Sequence, residues 1–535
     1  MNLKKQFQRA IALSIVAISA QTLDADVSLN ALFSDGMIIQ RETQAPIWGW
    51  ADPGETVTVN ASWGQSGKAT TASDGTWSLK LQTPEAGGPH SIQVTGNNSL
   101  EIKDVQAGEV WFCSGQSNMD FPMDWIAGKA RDPYDQPVAD YIQNEIKTAN
   151  DPQLRHIEVP NTASPFEKKT NFSGQWRSVS PLNSGKMTAT GYFFARELRA
   201  KLNVPVGLIE CAWGGTRVQP WISEEAYQKS ADMDTYYKQE MAHLKKQVEQ
   251  WDPEVVKAHH QAALEKWQAN GQQGGKPRPQ AHPTANAQRP STLHKGMVSA
   301  VQPYAIKGTI WYQGESNANY MTSEYERYFN TLVTSWREEW GQGDFPFYWV
   351  QLASFKAPND QPLDVDDWAS ICDQQRRSLS LPNTGMAVIN DIGEAKDIHP
   401  RNKVDVGKRL AAWALVKDYG IDLPAYSGPL YRDHRIVGNA VHVRFNQVGS
   451  GLMVGHKHLM DAAVEIDEPL QRFQIAGPDR KWKWAEATIS GNDRVIVTHP
   501  DISNPAAVRY AWSANPKGAN LYNKEGFPAS IFTTE

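Results

Sequence analysis

Cysteine is nearly absent from this chain. Only Cys113, Cys211 and Cys372 occur in 535 residues, and an odd, widely spaced set does not build a disulfide framework even in an oxidising compartment. Cys113 and Cys211 lie in apolar, strand-like runs and read as small buried hydrophobes. An excess of positive charge is missing too. The formal net charge is −6, with no basic tail or stripe, which argues against nucleic acid as a partner. There is no H-E-x-x-H and no tight His/Asp cluster, so no metal or other cofactor is expected. His259 and His260 stand in a charged stretch without acidic partners at ligand spacing and read as solvated side chains.

Long apolar runs are lacking as well. A membrane-spanning helix needs ~20 consecutive apolar residues, and no segment offers them. The apolar run at residues 10–20 (AIALSIVAISA) is too short to span, and it follows Lys4, Lys5 and Arg9. That is the pattern of a secretory signal peptide, expected here over residues 1–20 with cleavage near Ser19 or Ala20. The expected location is periplasmic or secreted.

What remains is a globular composition, with 40% hydrophobic and 21% charged residues over a length too great for one core, which suggests about three domains. Tryptophan (20) outnumbers phenylalanine (16), an uncommon order. Exposed tryptophans would suit stacking on sugar rings, although core and interface packing is the commoner use of any single one.

The chain is organised around residues 109–120, EVWFCSGQSNMD. Val110, Trp111, Phe112 and Cys113 make the apolar, β-prone run of a buried parallel strand. Ser114 and Gly115 stop it. Ser117 then sits where a strand gives way to a turn and a helix, close to backbone N–H groups free to stabilise an oxyanion. Read alone, this is equally an ordinary polar cluster at a strand end. Two later stretches share its character. Ile310, Trp311 and Tyr312 run into Gln313, Gly314, Glu315, Ser316 and Asn317, and Ala387 to Ile389 run into Asn390, Asp391 and then Asp397, Ile398, His399 and Pro400. Three such ends would converge at one edge of a parallel sheet, where open α/β folds place their sites.

Together GQSNMD, WYQGESNA and DIHPRNK resemble the sialate O-acetylesterase branch of the SGNH hydrolases, which includes carbohydrate acetylesterases acting on plant polysaccharides. The resemblance covers residues 27–532. It implies an α/β fold, an SGNH-type (flavodoxin-like) doubly wound parallel sheet, flanked by N- and C-terminal β-sandwich-like modules. The residue patterns fit this division. Period-two strands with turn signals such as Asp52-Pro53-Gly54 fill residues 27–105. Residues 106–422 alternate strands and helices, the latter over residues 192–202 and 404–419. A charged, then Gly- and Pro-rich insertion occupies about residues 224–290, and the region between Ser117 and Tyr192 reads as polar and loop-rich. Residues 423–535 return to β patterning.

The chemistry needs a base for the serine and a partner for the base. Ser117 would attack an acetyl carbonyl, His399, with an ordinary pKa near ~6.5, would take its proton, and Asp397 would orient His399. Many SGNH enzymes place the acid three residues before the histidine, where this chain has Lys396, so Asp391 and a plain Ser-His dyad stay as alternatives. The oxyanion hole would comprise the N–H groups of Ser117 and Gly215, the latter by analogy with a glycine of the family's second motif, and the side-chain amide of Gln313, with Asn317 as the alternative. Glu315 would hold the loops by accepting backbone hydrogen bonds.

The implied substrate is an O-acetylated carbohydrate, on sialic acid or on a plant cell-wall polysaccharide such as xylan or xyloglucan. A glycoside hydrolase using Glu315 and Asp397 would leave Ser117 without a role. A non-catalytic glycan-binding protein on a degenerate hydrolase core is the alternative from another class.

Overall fold

Val110, Trp111, Phe112 and Cys113 are all fully buried. Successive residues of a strand point to opposite faces, so an unbroken apolar run needs a covering layer on each side. In the computed structural model, which describes residues 26–535, both layers are present. Trp111 packs on Phe194 with ring centroids 4.9 Å apart. Phe112, facing the other way, meets Trp336 and Trp340 at 5.4 and 5.3 Å. The signal peptide expected at residues 1–20 lies outside the described residues.

This run belongs to β1 (Ser99–Gly115), which is followed by β2 (Asp151–Glu158), β3 (Arg177–Val179), β4 (Val206–Ala212), β5 (Gly308–Tyr312), β6 (Phe347–Val350) and β7 (Thr384–Ala387). In space the order is β3-β2-β4-β1-β5-β6-β7. All neighbours pair in parallel except β3, which runs antiparallel to β2. The register levels the strand ends that matter: Gly115 stands opposite Ala212 on one side and Tyr312 on the other. Chain direction thus brings the segments after β1, β4 and β5 to one edge, beside the strand where the order reverses.

The helices that cover the sheet include α1 (Ser117–Asp120), α2 (Ala189–Leu202), α3 (Tyr325–Trp340) and α4 (Lys403–Lys417). Asn402 caps α4 by accepting from the Asp405 N–H at 3.1 Å, which fixes where the loop from β7 ends. Helices α2 and α4 touch so closely that a Cβ on Gly407 would lie 2.6 Å from that of Phe193. The insertion between β4 and β5 carries helices Ala231–Glu249 and Pro253–Ala269, and then mostly irregular chain.

Three findings go beyond the sequence reading. First, β1 is longer than its apolar core. Residues 99–107 pair antiparallel with Gly87–Thr95, and Gln106 to Gly108 pair in parallel with Ile38–Gln40. The division placed between residues 105 and 106 therefore falls inside one strand, and the large sheet is a mixed one of 11 strands. Second, the polar region after Ser117 contains a helix, Gln136–Thr148, and strands β2 and β3. The buried polar groups of β2 are paired: Arg155 donates to Asp104 Oδ1 at 3.0 Å and His156 Nδ1 lies 2.9 Å from Glu210 Oε1. Pairing of this kind makes a charged central strand tolerable. Third, the C-terminal part forms three antiparallel sheets rather than one recognisable pattern. Its closing residues reach back to the central sheet, where Ser530 accepts from Gln351 Nε2 at 2.8 Å and the Ala529 carbonyl accepts from Asn390 at 3.0 Å. Among the described residues no helix is long and apolar enough to cross a membrane.

Candidate active site

Gly115 decides how the chain leaves β1. Its φ is +140°, and a Cβ there would lie 2.2 Å from the Tyr312 carbonyl oxygen, so only glycine fits against β5 in this conformation. The turn throws the chain directly into α1 with Ser117 as its first residue. Gln116 locks the turn. Its N–H donates to the Tyr312 carbonyl at 2.9 Å, and its Oε1 accepts from the Ser316 N–H at 3.2 Å.

Ser117 Oγ lies 2.9 Å from His399 Nε2. On the other side of the imidazole, Nδ1 lies 3.2 Å from Asp397 Oδ1, which also accepts from the His399 backbone N–H at 3.0 Å. The second oxygen of Asp397 faces Arg131 at 2.5 Å and Arg401 at 3.7 Å. Phe121 stacks on the imidazole, centroids 5.4 Å apart and planes 27° from parallel. Burial, aided by the nearby Lys403 charge and opposed by Asp397, holds the His399 pKa below its ordinary value. Such a shift favours the neutral imidazole, the form that can accept a proton.

Beneath this row lies a second network centred on Asn118. Its Nδ2 donates to Glu315 Oε1 at 2.5 Å and to the Ile398 carbonyl at 3.1 Å, while its Oδ1 accepts from Lys403 Nζ at 2.5 Å. One carboxamide thus ties together the loops after β1, β5 and β7. Lys403 is buried between the rings of Phe121 and Tyr312. Burial pulls its pKa down to about 7, against the pull of Glu315, Glu394 and Asp397. Burial likewise pushes the Glu315 carboxyl up. Glu315 does hold the loops, chiefly through the Asn118 side chain.

The turn after β4 passes beside the serine. A Cβ on Gly214 would lie 3.3 Å from Ser117 Cβ, whereas one on Gly215 would meet nothing within 4 Å. Among the described residues no backbone carbonyl accepts from the N–H of Ser117 or Gly215. Gly214 instead donates to Asp120, whose carboxyl burial and the nearby Glu158 and Glu210 push up to about 6.

Ser117, His399 and Asp397 are therefore brought into one hydrogen-bonded row, with Gly215 on the adjoining turn. Gln313 is placed differently. Its Nε2 donates to Asn317 Oδ1 at 2.8 Å and lies 3.3 Å from both Gln116 Oε1 and the Thr216 carbonyl, so its donors are engaged within the loops. Asn317 is engaged in the same way, donating to Gln219 Oε1 at 3.1 Å. Asp391 gives both oxygens to Arg409, at 2.6 and 2.7 Å. Sequence reasoning passed over Asn118, Arg401 and Lys403, although each stands inside a motif already singled out. Arg131 carried no signal. Among the described residues no three His, Cys, Asp or Glu side chains group so as to hold a metal ion.

Comparison with known proteins identifies the chemistry. The family model described as carbohydrate esterase, sialic acid-specific acetylesterase, matches residues 107–264 and 255–416. Sialate O-acetylesterase of Mus musculus is 26% identical over 543 residues, covering 95% of this chain and 93% of its own. The Homo sapiens protein of that name is 27% identical over 551 residues, covering 93% and 91%. A crystal structure of a carbohydrate acetylesterase from Xanthomonas citri superposes with a TM-score of 0.76 at 33% identity, covering 95% of this chain and 100% of its own. The protein is a carbohydrate O-acetylesterase. More particularly, the chain belongs to the sialic acid-specific acetylesterase family of carbohydrate esterases.

Proposed function

We propose that this esterase works through a serine nucleophile and an acetyl-enzyme, on an SGNH-type core over residues 106–422 braced by β-sandwich-like modules at 27–105 and 423–535. The observation that carries this reading is the Ser117–His399 contact at 2.9 Å with Asp397 behind it. Ser117 Oγ attacks the acetyl carbonyl carbon as His399 Nε2 takes its proton. The tetrahedral intermediate collapses, the bond to the sugar oxygen breaks, and His399 returns the proton to that oxygen. A water molecule then repeats the sequence on acetyl-Ser117, releasing acetate. Asp397 holds the imidazole through Nδ1 and stabilises its cationic form.

The N–H groups of Ser117 and Gly215 are the donors for the oxyanion. Gln313 joins them only by exchanging one of its acceptors at 3.3 Å for the oxyanion. The substrate class is an O-acetylated glycan, on sialic acid or on a plant polysaccharide such as xylan or xyloglucan, met in the periplasm or outside the cell.

The test is acetate release from a panel of O-acetylated sialic acid, acetylated xylan and acetylated xyloglucan, with and without EDTA. Release that persists in EDTA is expected, and its loss in EDTA would overturn the metal-independent mechanism. The pH profile is a second check. Protonated His399 cannot accept the Ser117 proton, so kcat/KM should fall as pH drops through the His399 pKa. With that pKa held down by burial, the acid limb should have its midpoint below the ordinary ~6.5. A midpoint clearly above that value would contradict the described environment of His399.

A further inference from the structure

Of the 20 tryptophans in the chain, 19 are buried or half-buried, and Trp125 alone is exposed. Its relative exposure is 57%. An indole left largely in water is the departure from the other tryptophans. Its location is equally particular. The Trp125 ring meets Phe121 edge-on at 5.3 Å, and Phe121 in turn stacks on His399. Two ring contacts therefore separate the exposed indole from the imidazole beside Ser117.

Trp125 is also held in place. It ends a tight turn, Met123–Trp125, its N–H donates to the Pro122 carbonyl at 3.1 Å, and its carbonyl accepts from Arg401 Nη1 at 3.3 Å. Arg401 faces Asp397 with its other terminal nitrogen. Farther along the same loop, Arg131 pairs with Asp397 while its side chain is 64% exposed. The loop thus holds the Asp397 carboxylate and presents an exposed aromatic face, with the exposed guanidinium of Arg131 farther along it. A pre-ordered surface loses little freedom on binding, and an aromatic face with polar groups at its rim complements a ring whose C–H faces are apolar and whose edges carry hydroxyls.

Resting on the serine-esterase reading above, we propose that Trp125 is the platform of a sugar subsite, stacking on a pyranose ring of the acetylated glycan and selecting glycan esters over simple ones. The experiment compares wild type, Trp125→Ala and Trp125→Phe on whichever acetylated glycan the wild type cleaves best and on 4-nitrophenyl acetate. The readout is the ratio of the two kcat/KM values. For Trp125→Ala this ratio should fall about tenfold or more, through KM for the glycan, and Trp125→Phe should fall less. A ratio within about threefold of wild type, whether both activities drop or neither does, overturns the proposal. Ser117→Ala tests the underlying reading by itself: 4-nitrophenyl acetate hydrolysis that survives it would discard the serine mechanism, whatever the Trp125 ratio shows.

Discussion

Ser117→Ala should lower kcat/KM for acetylated glycans by about 10⁴- to 10⁶-fold, since removal of a triad nucleophile leaves only binding and oxyanion stabilisation. The size of the effect follows from what the hydroxyl touches. Its hydrogen bond goes to His399. The turn that carries it is held by Gly115 and Gln116 through contacts to Tyr312 and Ser316, none of which involves Oγ. The variant should therefore keep the thermal midpoint of the wild type. Acetate release and a melting curve measured on the same preparation check both halves. A folded variant retaining more than about a hundredth of the wild-type rate would show that Ser117 is not the nucleophile.

Asp397→Asn should cost about 10⁴-fold in kcat, because an amide donates where the carboxylate accepts and so favours the wrong tautomer of the imidazole. Asp391→Asn makes the informative contrast. Asp391 is buried in a two-point ion pair with Arg409 and also accepts from Tyr522 at 3.4 Å. Breaking one side of such a pair strands a buried guanidinium and costs about 3–5 kcal/mol. The expected outcome is a large loss of kcat for Asp397→Asn, with some fall in melting temperature because its carboxylate also faces Arg131 and the buried Arg401, and a lowered melting temperature with kcat largely intact for Asp391→Asn. If the two variants exchange these phenotypes, Asp391 is the acid and the row at His399 is structural. Equal, modest losses in kcat would instead favour a Ser-His dyad.

The apolar strands and the helices behind them could be read from the sequence because burial on both faces writes itself as an unbroken hydrophobic run. Residues 206–212, apart from Glu210, and 308–312, apart from Thr309, are of this kind, and the structure sets them on either side of β1. The strand Asp151–Glu158 is a different case. Arg155 and His156 are buried there beside Asp104 and Glu210, partners distant in sequence, so the local pattern reads as loop. The site divides along the same line. Ser117, Asp397 and His399 stand in stretches whose small and polar residues interrupt strand ends, a local signal. Gln313 comes first after its strand, but its amide is taken up by Asn317, Gln116 and Thr216, which only the folded loops could reveal. Arg131 reaches Asp397 from a loop more than 260 positions earlier, and nothing about its neighbours marks it.

The length of β1 carries a consequence for how the molecule can be dissected. One end of this strand is stitched to Gly87–Thr95 and Ile38–Gln40, while the other, two residues from Ser117, lies between β4 and β5. A strand clamped at both ends like a stiff rod in two vices is expected to carry slack in the amino-terminal sheets to the place where half an ångström matters. A version trimmed to begin at residue 106 would release one clamp and bare a row of unpaired amides along residues 106–108, an invitation to aggregate. The expectation is that the amino-terminal portion serves as part of the catalytic chassis rather than as an accessory that could be swapped for another.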